Sequence, residues 1–109
     1  MKTLKLLVDH NGVKVNSACS YEGIFPGMTE PLRLEFDFSP EWDERKKVAG
    51  FWSMLGAEYT PQLLKDGKTC IVPAEALKKA AFKVQILGRY NGAITTTNKA
   101  TVYLKGGIA

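Results

Sequence analysis

One histidine and two cysteines among 109 residues leave little material for metal or nucleophilic chemistry. A zinc site needs three or four Cys, His or Asp ligands in clustered spacing, and Cys19, Cys70 and His10 do not supply it. The two thiols are expected to be buried and free rather than bridged. No glycine-rich loop follows a strand and opens a helix, so nucleotide binding has no support and no cofactor is expected. Long apolar runs are missing too. The longest charge-free stretch around the second tryptophan, Val48 to Ala57, is ten residues, about half of what a membrane-spanning helix requires. Met1 to Asp9 alternates Lys with Leu and lacks the sustained apolar core of a signal peptide, so the expected compartment is the cytoplasm in which the chain is made.

What remains is the composition of an ordinary globular chain, 45% hydrophobic and 24% charged. Its length suits one domain, residues 1 to 109, with a single hydrophobic core. The net charge of +4 is unevenly spread. Residues 1 to 44 hold four Lys/Arg against eight Asp/Glu, a net of −4, whereas residues 45 to 109 hold eleven against three, a net of +8. Such a division could mark a nucleic-acid footprint, but the cations are scattered among strands with no interleaved aromatic platform, as on a solvated face. Nucleic acid is therefore not expected as a partner.

Period-two alternation dominates the chain. Leu32, Leu34, Phe36 and Phe38 alternate with Arg33, Glu35 and Asp37, the pattern of a strand with one wet and one buried face. Leu4, Leu6 and Val8 predict an earlier strand, and Val13 and Val15 another, joined by Asp9-His10-Asn11-Gly12 as a hairpin turn. Residues 21 to 29 read as a loop. Further strands are predicted over 47–55, 59–64 and 68–72, the last two as a hairpin about Lys65-Asp66-Gly67. Pro73 to Lys79 predicts one short helix, with proline first, an acid in the first turn and lysines in the last. Phe82, Val84 and Ile86 open a strand that turns at Asn91-Gly92 into 94–97, and 101–104 completes the set; Gly106-Gly107 reads as the start of a flexible exit. Eight or nine short strands with one brief helix predict an all-β fold, an immunoglobulin-like β-sandwich with mostly antiparallel pairing.

Few residues invite a functional reading. His10 beside Asp9 could be a general base, but no Ser or Cys is placed with it, and an exposed turn residue is the plainer account. Glu41, Asp43 and Glu44 lack the alternate-position spacing of a calcium loop. The Thr95-Thr96-Thr97 run could offer hydroxyls to a sugar, although threonine is also a good strand former. Trp52, with Val48 and Met54 at period two, is assigned to the core. Trp42 is expected to fold back over one end of the sandwich with its indole N–H on a carbonyl, or else to stand exposed at an interface. The candidate interface residues are thus Trp42, Glu44, Arg45, Lys46 and Lys47.

Three segments carry a family likeness. Phe36-Asp37-Phe38-Ser39-Pro40-Glu41-Trp42-Asp43, then Cys70-Ile71-Val72-Pro73-Ala74-Glu75-Ala76-Leu77, then Phe82-Lys83-Val84-Gln85-Ile86-Leu87-Gly88 resembles, in order and spacing, the N-terminal β-sandwich domain of tail-fibre and baseplate upper proteins from phages of Gram-positive bacteria. The likeness spans about residues 30 to 107 and departs at Glu44-Arg45-Lys46-Lys47, where that family turns through small residues. It implies a virion structural protein without catalytic residues, assembled in the host cytoplasm: an attachment or adaptor domain of a tail fibre, baseplate or head fibre. Its implied partners are other virion proteins, in a homo-oligomer set by particle symmetry. The alternative, prompted by the +8 of residues 45 to 109, is a small free-standing phage protein that binds and inhibits a host factor. A hydrolase or carbohydrate-binding module rests on fold analogy alone.

Overall fold

A computed structural model describes residues 1–10, 12–16 and 23–104. Cys19, Asn11 and the Gly106-Gly107 pair lie outside the described residues, as does part of the loop expected over 21–29.

Among the described residues nine strands form two packed sheets: β1 (Lys2–Asp9), β2 (Gly12–Val15), β3 (Leu32–Phe38), β4 (Lys46–Ser53), β5 (Glu58–Leu63), β6 (Thr69–Ile71), β7 (Ala81–Tyr90), β8 (Ala93–Thr96) and β9 (Ala100–Tyr103). The four-stranded sheet has the order β2-β1-β3-β6, and the five-stranded sheet the order β5-β4-β7-β8 with β9 also on β7. The all-β sandwich anticipated from alternation is the observed architecture. Pairing is antiparallel except between β1 and β3, which run parallel in register from Lys2↔Leu32 to Val8↔Phe38. That register sets the two clearest alternating segments side by side, so Leu4, Leu6, Leu34 and Phe36 share one inward face.

Against them pack Ala49, Phe51, Phe82, Val84, Ile86 and Val102 from the other sheet, all fully buried. Phe51 and Phe82 meet with ring centroids 5.8 Å apart. Each of these side chains larger than alanine contributes about 1.5–3 kcal/mol by leaving water.

Two short 3₁₀ turns replace the single helix expected. Pro73 to Lys79 does form one, at Ala74–Lys78, and buries Ala76 and Leu77. A second, Pro40–Trp42, follows β3 directly. The Asp66 and Gly67 turn is also present, with φ of 52° and 68°. Its flanking strands are not a simple hairpin, however: β5 pairs β4 in one sheet and β6 pairs β3 in the other. Lys65 and Thr69 bridge across the turn, so the chain passes between sheets there.

At the opposite side one side chain joins the sheets. Asn98, between β8 and β9, accepts the Val13 N–H on Oδ1 at 2.8 Å and donates from Nδ2 to the Val13 carbonyl at 3.4 Å. The amide thus completes for β2 the hydrogen bonds that a neighbouring strand would supply. Gly12 leaves room for it, since a Cβ there would collide with Asn98 Oδ1, and its φ of 139° excludes most side chains besides. Asn98→Ala is expected to destabilise the fold by about 1 kcal/mol, the net contribution of a partly buried hydrogen bond. Hydrogen exchange at the Val13 amide, measured by NMR, should accelerate well beyond that at Leu34 in the sheet centre; equal effects at both would show that Asn98 does not close the seam.

Candidate docking surface

The segment that carries the candidate interface residues is divided by the fold. Trp42 is 2% exposed. Its ring lies 5.7 Å from Phe38 and against Gly88 of β7, so it seals one end of the sandwich between the two sheets. Its burial removes it from any interface role. The expected carbonyl partner is also missing: Nε1 is buried without a hydrogen-bond acceptor, as is Ser39 Oγ without a partner. Lys47 points inward from β4, 8% exposed, with Nζ 5.0 Å from the Phe38 ring centre, and it lines a cleft instead of the outer face. Arg45 is half-buried; its guanidinium stacks over Trp42 at 5.7 Å and donates from Nε to the Glu41 carbonyl and from Nη1 to Thr95 Oγ1. Of the five, Glu44 and Lys46 remain exposed.

Trp52 is corrected in the opposite sense. The inward set of β4 is Lys47, Ala49 and Phe51, which places Val48, Gly50 and Trp52 on the outer face. Trp52 is half-buried there because it lies flat over Gly50, with the Lys99 ammonium 4.1 Å above its ring. Both phases of this strand are apolar, so alternation could not decide which faced in. Met54, expected beside it, is 45% exposed in the turn that follows.

This outer face carries an apolar grouping that the pairing brings together. In one row Leu63, Val48, Leu87 and Thr96 stand side by side across four strands. The next row is Lys46, Arg89 and Ile94. Leu63 and Ile94 are 71% and 56% exposed. A shallow depression of about 310 Å³ runs between them, lined almost wholly by apolar atoms. Beyond Trp52, Lys83 and Lys99 add two more cations. The face is therefore apolar in the middle and cationic at its margins. One signal in the sequence pointed to it: Leu87 is out of phase with Phe82, Val84 and Ile86 and breaks their alternation.

The sheet ends differently at its two margins. On β5, Pro61 removes a backbone donor and Glu58 adds charge, devices that discourage further pairing. On β8, the sequence Ala93-Ile94-Thr95-Thr96 has neither, and all four residues are exposed. Thr97 N–H donates to Ile86 O, and by alternation the N–H and C=O of Ile94 and Thr96 face away from β7.

The remaining candidates are absorbed by the structure. His10 is exposed and 3.9 Å from Glu41 at the mouth of a cleft of about 370 Å³ lined by Trp42 and Thr95 to Asn98, with no Ser or Cys among its described lining residues. Thr97 accepts the Ile86 N–H and donates to the Asn98 carbonyl, and Thr95 accepts from Arg45, so two of the three threonine hydroxyls are engaged internally. Among the described residues no group of three or more His, Cys, Asp or Glu is placed to hold a metal ion, and no helix is long and apolar enough to cross a membrane.

Cys70 is buried and free on β6, and burial pushes its thiol up to about 12. An unfolded thiol ionises near 8.5, so the stabilisation is complete below that pH and is lost as pH rises toward 12. Between pH 9 and 11 stability of the native protein should fall more steeply than that of Cys70→Ala, by about 1.4 kcal/mol per pH unit. Urea denaturation at several pH values reads this; parallel slopes would place the thiol in water.

Searches with family models, curated proteins and solved structures return no match to this chain.

Proposed function

We propose that the chain is a non-enzymatic docking module, an attachment or adaptor domain of a virion tail fibre, baseplate or head fibre, working in a homo-oligomer. The observation that carries this reading is the outer face of the five-stranded sheet, where exposed Leu63 and Ile94 flank half-buried Val48 and Leu87 in one apolar strip that ends on the β8 edge. Contiguous exposed apolar surface of this kind is what a binding surface presents before its partner arrives. The edge adds specificity, because four backbone groups of Ile94 and Thr96 can pair with an extended segment while alternate side chains meet the strip. The virion context comes from the resemblance of the Phe36–Asp43, Cys70–Leu77 and Phe82–Gly88 segments. In the test, virions are labelled with an antibody to this chain and imaged by electron microscopy. Regular labelling on tail or head structures supports the reading; unlabelled particles from cells that make the protein would end it.

The cationic margin of the same face favours a second reading, a free-standing protein that inhibits a host factor with an acidic surface. Lys46, Arg89, Lys83 and Lys99 surround the strip, with Glu58 the one acid paired beside Trp52. Binding of that kind weakens steeply with salt and on charge reversal of Lys46 and Arg89. An apolar docking surface is nearly indifferent to both.

A further inference from the structure

A second feature stands apart from that face. A cleft of about 750 Å³ opens between β1 and β3 on one side and the start of β4 with the Asp66-Gly67 turn on the other. The Lys47 side chain lies along it, nine-tenths buried, and its ammonium makes no ion pair or hydrogen bond among the described residues. Lysine is almost never so buried without a counter-charge. Its ammonium lies over the face of Phe38, and the turn at Gly67 passes beside Nζ.

The other charges of the cleft do not fill this need. On β3, Glu35 is held by Lys5 of β1 at 4.0 Å. Asp43, in the bend before β4, acts on Lys47 through space but forms no contact with it. Asp37 and Asp66 are exposed to water. On the cationic side, Arg45 is committed to Thr95 and the Glu41 carbonyl, and Lys68 is exposed. The cleft thus has solvated acids at its rim and one desolvated cation inside.

We propose that this cleft binds a carboxylate, carried by a peptide side chain with basic neighbours, whose oxygens accept hydrogen bonds from Lys47 Nζ while the flanking cations meet the rim acids Asp37, Asp43 and Asp66. Desolvation already holds the Lys47 amine below the usual lysine range. An arriving carboxylate favours the charged form and so opposes that shift.

The test uses the described protein in solution with two peptides, acetyl-Lys-Glu-Lys-amide and its Gln counterpart, and follows the Lys47 13Cε resonance by NMR. The Glu peptide is expected to give a saturable shift of that resonance, with affinity about tenfold or more above the Gln peptide, the size of one charge-assisted hydrogen bond. In Lys47→Met the preference for Glu over Gln should vanish. Equal affinity for the two peptides, a shift that grows linearly and alike at every lysine, or a preference kept by Lys47→Met would each overturn the proposal. Should Lys47→Met fail to fold, the comparison of the two peptides on the native protein decides alone.

Discussion

Trp42→Ala is expected to lower stability by about 3–5 kcal/mol, as truncation of a fully buried aromatic does. That is a large share of the about 5–15 kcal/mol by which a domain of this size is held. The reason is position as much as size. The Pro40–Trp42 turn brings the indole back over the end of β3, where it touches Phe38 from one sheet and Gly88 from the other. Trp42→Phe is expected to stay within about 1 kcal/mol, because the lost ring area is offset by removing a buried N–H that has no acceptor. Urea denaturation of both variants distinguishes the cases. If Trp42→Phe were as damaging as Trp42→Ala, the indole N–H would have to be hydrogen-bonded after all.

Two glycines that each sit beneath a tryptophan are expected to respond in opposite ways to the same substitution. At Gly88 a Cβ would stand 2.7 Å from Trp42 Cζ3 and 2.9 Å from Arg45 Cδ. At Gly50 it would stand 2.6 Å from Trp52 Cη2. The collisions are alike, but the escape routes are not. Trp42 is enclosed and cannot move without opening the core, so Gly88→Ala should cost about 1–3 kcal/mol as overpacking does. Trp52 lies on the outer face and can swing into water at the loss of its contact with Lys99, so Gly50→Ala should cost less than about 1 kcal/mol. Its fluorescence should then shift to the red and become easier to quench, while Gly88→Ala leaves the Trp52 signal in place. Equal destabilisation by the two would contradict the assignment of one tryptophan to the interior and the other to the surface.

That assignment marks the limit of what alternation reveals. Where one phase of a strand is apolar and the other polar, as in Leu32 to Phe38, the buried face follows directly and the structure agrees. In Val48 to Trp52 both phases are apolar, and the choice is made by neighbours distant in sequence: Ala49 and Phe51 find Ile86 and Val84 on β7, leaving Trp52 outside. The tight turns at Asp66-Gly67 and Asn91-Gly92 were legible because only certain residues accept positive φ, as their values confirm. Which strands those turns connect was not, since β5 and β6 part to different sheets through a choice of partners that local chemistry does not encode. The candidate site suffers the same way. Lys47 stands in a run of five charged residues, Asp43 to Lys47, that looks solvated, yet β4 begins within that run and turns this one side chain inward. The proposed docking face is assembled from Leu63, Val48, Leu87 and Ile94, single residues on four strands, of which Leu87 alone stands out by breaking the alternation of its strand.

The claim on which the rest depends is that this outer face is a surface built for association. Sedimentation equilibrium of the purified chain beside a Leu63→Lys/Ile94→Lys double variant tests it most directly, because both positions are exposed enough to accept lysine without disturbing the core. Concentration-dependent assembly of the native chain, abolished in the double variant at unchanged thermal stability, is the result expected. A native chain that remains monomeric at millimolar concentration, or one whose assembly survives both lysines, would contradict it.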